Sequence, residues 1–171
     1  MCDIKYFKLA YHNLDVAKSA LRDYQYDELF VREVAYNLQQ CVEKTLKAFL
    51  ECVGVTVPQT HKISKLIRMS NDNGSSVIIT DWLKNHCERL EAWEADSRYD
   101  IDFYVEIQIV EEALQEIEKF LKVNGLSYEK DVEINEDIEE ALHDMIPVKI
   151  NDVFELNIYY HVFKKKLMKN I

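Results

Sequence analysis

Glycine and proline are scarce, at 3 and 2 in 171 residues. An all-β fold needs turn residues at short, regular intervals, so this poverty excludes one and points to long helices. The chain carries no Walker-type or Rossmann-type glycine fingerprint, which removes those modes of nucleotide binding. No stretch reaches the roughly 18 consecutive apolar residues of a membrane span, and the N-terminus lacks the basic, apolar and small-residue order of a secretory leader. A cytoplasmic protein without membrane contact is expected.

Cysteine pairing motifs are also missing. Cys2, Cys41, Cys52 and Cys87 contain no C-x-x-C pair and no histidine at ligand spacing, and H-E-x-x-H is absent. These absences call for no metal and no cofactor, and the four cysteines are expected to be buried, free thiols. Cations are outnumbered, 21 Lys and Arg against 31 Asp and Glu, for a formal net charge of -10. Phosphate backbones are captured by Lys and Arg, so any nucleic-acid contact must come from a local patch or a dimer cleft.

What is present is apolar helical periodicity. A first helix is predicted from about Ile4 to Tyr24 behind Asp3 as cap, and a second from Asp27 as cap to about Val53, closed by Gly54. The second is the longest, and its seam Val31, Ala35, Leu38, Val42, Thr45, Phe49, Cys52 is widened by Val34, Cys41 and Ala48, as in a helix buried on more than one side. A short third helix follows Thr60, and a fourth runs from Asp81 to about Trp93 behind Thr80. Asp96 to Asp100 is expected to break the pattern before a fifth helix, Phe103 to Val123. An acidic helix near Asn135 to Met145 and an aromatic one from Asp152 to Lys169 complete the chain. The acidic residues of the fifth helix read as its solvated face, and the lysines after Lys164 as cations set against a helix dipole.

One feature stands apart from this pattern. Gln40, Glu43 or Lys44, and Lys47 recur at three and four residues on the second helix and form a polar stripe opposite its seam. On a helix otherwise heavily packed, such a stripe is expected to face a cleft or another protomer, although Glu43 and Lys47 also make an ordinary stabilising pair.

Gln39-Gln40-Cys41-Val42-Glu43-Lys44-Thr45-Leu46-Lys47-Ala48, then Thr60-His61-Lys62-Ile63 with Leu66, then Arg98-Tyr99, together resemble the HEPN domain family (higher eukaryotes and prokaryotes nucleotide-binding). The resemblance covers residues 1–124 as a HEPN-like helical domain and leaves 125–171 as a C-terminal helical extension, packed on the same core or appended to it. It implies an all-α, up-and-down bundle of four to five core helices that forms a homodimer and binds nucleotide or RNA. It further implies work beside a nucleotidyltransferase partner in a toxin-antitoxin or defence-like system. The implied ligand or partner cleft comprises Gln40, Glu43, Lys44, Lys47, His61, Arg98 and Tyr99.

Many catalytic members are metal-independent ribonucleases with an Arg-x4-6-His motif. None of Arg22, Arg32, Arg68, Arg89 or Arg98 is followed by histidine at that spacing, so catalysis of the usual family type is not expected. Two alternatives stay open: a ribonuclease with a rearranged site in which His61 is the base and Arg98 or Lys44 the cation, and a structural adaptor without catalysis.

Overall fold

The computed structural model describes residues 2–170. Its centre is a helix with almost no solvent face, α2 (Phe30–Cys52), on which fifteen residues are buried, Gln39, Gln40, Glu43 and Asn37 among them. Against it lie α1 (Ile4–Asp23), α3 (Ile63–Asp72), α4 (Asp81–Tyr99) and α5 (Ile107–Val123), followed by α6 (Glu136–Met145) and α7 (Val153–Asn170). Among the described residues there is no strand, and the chain is all-α as expected.

Side-chain contacts fix the directions. Phe7 meets Phe49 edge-on at 4.9 Å, and Asn13 donates to Asn37 at 2.7 Å, so α1 runs antiparallel to α2. Arg32, near the start of α2, donates to the carbonyl of Ser97 at the end of α4, so α4 also runs antiparallel to α2. Asn124, capping α5, exchanges hydrogen bonds with the backbone of Ile78 just before α4. One continuous apolar core joins these helices, and Leu126, Phe154 and Ile158 belong to it. A second cluster, built from Ile134, Leu142, Ile146, Leu156, Tyr159, Tyr160 and Leu167, packs α6 onto α7. Phe154 and Ile158 of α7 thus touch the main core, while α6 packs on α7 in the second cluster.

Several expected boundaries shift for physical reasons. Asp27 does not cap α2; its carboxylate accepts from the amide of Leu29 in the preceding turn, and α2 begins at Phe30. Thr60 likewise accepts from the amide of Lys62, so α3 starts at Ile63 and His61 stays on the loop. Asp96 to Tyr99 does not break the chain. It contains no glycine or proline, the Ser97 hydroxyl and the Arg98 Nε donate to the carbonyls of Trp93 and Glu94, and α4 continues to Tyr99. The fifth helix starts later than expected, at Ile107. The caps at Asp3 and Thr80 hold as expected, and Asn135, expected as the first residue of the acidic helix, caps α6 instead.

The cysteine expectation is corrected at one pair. Cys2 and Cys52, 50 residues apart in sequence, form a disulfide that ties the start of α1 to the end of α2, while Cys41 and Cys87 are free. The antiparallel packing brings the two termini together, which no sequence spacing announces. Closing a loop of that length stabilises the fold by about 4 kcal/mol through the unfolded chain.

The extension is held by a strap. Asn157 on α7 donates to the carbonyls of Ser127 and Glu129 and accepts from the amide of Asp131, while His161 sits 2.8 Å from the Asp131 carboxylate. Gly125 makes this possible: at φ 80° a Cβ there would lie 2.6 Å from the His161 ring and 2.9 Å from the Asn157 carbonyl. Gly54, at φ 83°, has open space around it. Gly54→Ala is therefore expected to destabilise by about 1–2 kcal/mol from backbone strain alone. Gly125→Ala should lose about 1–3 kcal/mol more from the clash. Urea unfolding of the two variants checks the order, and equal losses would refute the close packing of the strap.

Candidate functional site

The polar stripe of α2 is buried, and burial decides its chemistry. The Glu43 carboxylate, its side chain only 5 % exposed, is held at one oxygen by Lys47 Nζ (2.7 Å) and at the other by Gln39 Nε2 (2.8 Å). His61 Nδ1 approaches the same carboxylate at 3.0 Å and 3.2 Å. Gln40 completes the row by donating from Nε2 to the Gln39 side-chain Oε1 at 2.8 Å. Burial by itself would raise the Glu43 pKa. The hydrogen bonds from Lys47, Gln39 and His61, with the charge of Lys47, outweigh it and leave the carboxyl below its usual value.

This arrangement sets the state of His61. A carboxylate only accepts, so Nδ1 facing Glu43 carries the proton, and in the neutral ring Nε2 is the acceptor. The His61 side chain is 60 % exposed. It lines a groove of about 400 Å³ with Gln59, Thr60, Lys62, Glu91 and Glu94. The extended loop ahead of α3 places the ring there: Thr60 is pinned through its amide to the Pro58 carbonyl and its hydroxyl caps Lys62.

Arg98 reaches the same region from α4. It forms an ion pair with Glu94, and its guanidinium lies over the rings of Tyr36 (5.5 Å) and Tyr99 (4.9 Å). The continuation of α4 through residue 98 makes this possible, since Glu94 and Arg98 become i, i+4 neighbours. Tyr99 is largely exposed at the last turn.

Of the residues expected to share a cleft, Gln40, Glu43, Lys47 and His61 form one hydrogen-bonded cluster. Arg98 and Tyr99 adjoin it through Glu94. Lys44 does not join them. It turns to α1, donating to Asn13 at 2.6 Å in a chain that continues through Asn37 to the carbonyl of Glu33. Burial lowers the Lys44 pKa, with Glu43 partly opposing the shift. Adjacent residues on a helix differ by about 100° in direction, and the alternative of Glu43 or Lys44 resolves onto two faces. Glu94, Tyr36 and the Asn13–Asn37 pair were missed by sequence reasoning. Glu94 four residues before Arg98, and Tyr36 in register with Gln40, Glu43 and Lys47, were the signals available.

No cluster of three or more His, Cys, Asp or Glu suited to a metal exists among the described residues. The HEPN domain model matches residues 5–128, which takes in α1 to α5 and every residue of this site. The chain belongs to the HEPN family. No curated protein and no solved structure matches it. The match ends inside the strap, so α6 and α7 of this HEPN protein lie outside the matched residues.

Because the folded carboxyl of Glu43 titrates lower than in the unfolded chain, its contribution is fully present above the unfolded value near 4.5 and is lost as pH falls through the folded one. Glu43→Gln leaves Lys47 and His61 without their anion and is expected to destabilise by about 1–3 kcal/mol at neutral pH. The gap to wild type should begin to narrow as pH falls past the unfolded value near 4.5 and close only below the lower folded value, where the wild-type carboxyl is itself neutral. Denaturant melts between pH 3 and pH 8 test this, and a gap independent of pH would sink it.

Proposed function

We propose that this HEPN protein binds a nucleotide or RNA segment at the groove beside Glu43, as a dimer working with a nucleotidyltransferase-type partner in a toxin-antitoxin or defence-like system. Family membership supports the nucleotide-related reading at the coarse level. The observation that carries the finer one is Arg98 lying over Tyr36 and Tyr99 next to a groove that holds His61 and Lys62. A guanidinium and lysine meet phosphate, and an exposed tyrosine offers a face on which a base stacks. Glu43 acts here through others, fixing Lys47 and His61. Residues 1–124 form the binding unit in this reading, and 125–171 serve as an extension that stiffens it.

Titration with a fluorescein-labelled oligouridine and with ATP, read by anisotropy and calorimetry, tests the proposal. Arg98→Ala and Tyr99→Ala are each expected to weaken binding about tenfold, in line with roughly 1–3 kcal/mol for a stacked base. Undiminished binding in both variants, or no binding by a monomeric wild type, ends it.

A second reading is favoured by one distance, His61 Nδ1 to Glu43 at 3.0 Å. A carboxylate that orients an imidazole leaves Nε2 as a general base. With RNA bound, Nε2 would take the proton of a ribose 2′-hydroxyl, the 2′-oxygen would bond to phosphorus, and the 5′-oxygen would depart and be protonated by water. The products are a 2′,3′-cyclic phosphate and a 5′-hydroxyl. Cleavage in the presence of a chelator, abolished by His61→Ala and reduced about a hundredfold or more by Glu43→Gln, is the expected signature. Equal residual cleavage in wild type and both variants excludes it.

A further inference from the structure

The opposite side of α4 carries a second groove of about 400 Å³, bounded by the α4–α5 loop and floored by Trp93 and Val105. Its character differs from the first. Asp96, Asp100 and Asp102 line it, all three exposed, and none forms an ion pair among the described residues. Arg89 also lines the groove without pairing to them. Apolar surface accompanies the carboxylates: Tyr104 is 69 % exposed on the wall, and Phe103 and Ile109, both half-buried, line the groove beside it. Exposed apolar side chains gathered around a groove, rather than scattered singly, mark an interaction surface.

The groove is pre-formed. Arg32 donates to the carbonyl of Ser97 at the end of α4 and to those of Asp100 and Ile101 in the loop, and its guanidinium lies 5.6 Å from the Phe103 ring centre. Asp100 Oδ1 closes the turn by accepting from the Asp102 amide at 2.9 Å. Arg32 is thus committed to backbone oxygens and leaves the carboxylate charge standing. A surface already in its bound shape loses little ordering entropy when a partner docks.

We propose that this groove docks a basic, amphipathic segment of a partner protein. Lysine or arginine heads meet Asp96, Asp100 and Asp102, and apolar side chains cover Tyr104, Phe103 and the edge of Trp93. Charge complementarity selects this occupant. A nucleic-acid strand would set its phosphates against three unpaired carboxylates, and a second copy of this acidic chain would bring more of the same charge.

The test is an NMR titration of the ¹⁵N-labelled full chain with an acetylated, amidated lysine-leucine-lysine-tryptophan-lysine-leucine peptide. Shifts are expected in amides from Trp93 to Ile109, weakening as salt is raised. Asp96→Asn combined with Asp102→Asn, both at exposed positions, is expected to weaken binding about tenfold, and Tyr104→Ala to weaken it independently of salt. Four outcomes would overturn the proposal: no shifts at millimolar peptide, equal shifts in the double variant, the same shifts from a glutamate-substituted peptide or from oligouridine, or concentration-dependent shifts of these amides in the protein alone.

Discussion

The structure depends on the burial of α2 on nearly every side. A helix so placed has no water to satisfy its polar side chains, so each must find a partner within the protein or impose a desolvation penalty of several kcal/mol when charged. Glu43 meets that demand with Lys47, Gln39 and His61, and Lys44 meets it with Asn13. These partners come from α2 itself, from the loop before α3 and from α1, so satisfying two charges fixes the register of three segments. A buried ion pair is weak evidence of net stability, but a broken one is severe, and the arrangement therefore specifies geometry more than it adds strength.

The same demand orders the C-terminal part. Asn157, 1 % exposed, takes two carbonyls and one amide of the strap, so three backbone groups between Ser127 and Asp131 are satisfied along α7. The strap in turn places Tyr128 against Tyr11 and Phe154, with Lys8 of α1 bound to Glu155 of α7. The extension thus braces α1 on the side away from the α2–α4 groove.

How much of this was legible in the sequence follows from which forces are local. Helix number, caps at Asp3 and Thr80, and the left-handed closure at Gly54 depend on neighbours in sequence, and local patterns find them. Residues Asp96 to Tyr99 were misread because polar composition suggested a loop, whereas side chains bonding to carbonyls four residues back keep the helix going. The site was legible as a stripe but not as a network. Nothing local says that Lys44 turns to α1 while Glu43 turns to His61, or that Cys2 meets Cys52, because each depends on how antiparallel helices register over distances of tens of residues.

The last step concerns α4, which separates two grooves of unlike charge. Glu91, Glu94 and Arg98 recur at three and four residues on one face, toward His61 and Lys62; Arg89, Trp93, Asp96 and Asp100 recur on the other, toward the loop. A net charge of -10 is therefore not spread evenly: on the first face Glu94 is answered by Arg98, and on the second Asp96 and Asp100 form no ion pair among the described residues. Within a Debye length of roughly 8 Å at physiological salt, a polyanion meets a neutralised surface at one groove and a repulsive one at the other. One helix, by the angular offset of its residues alone, thus carries two grooves of unlike charge that share no side chain.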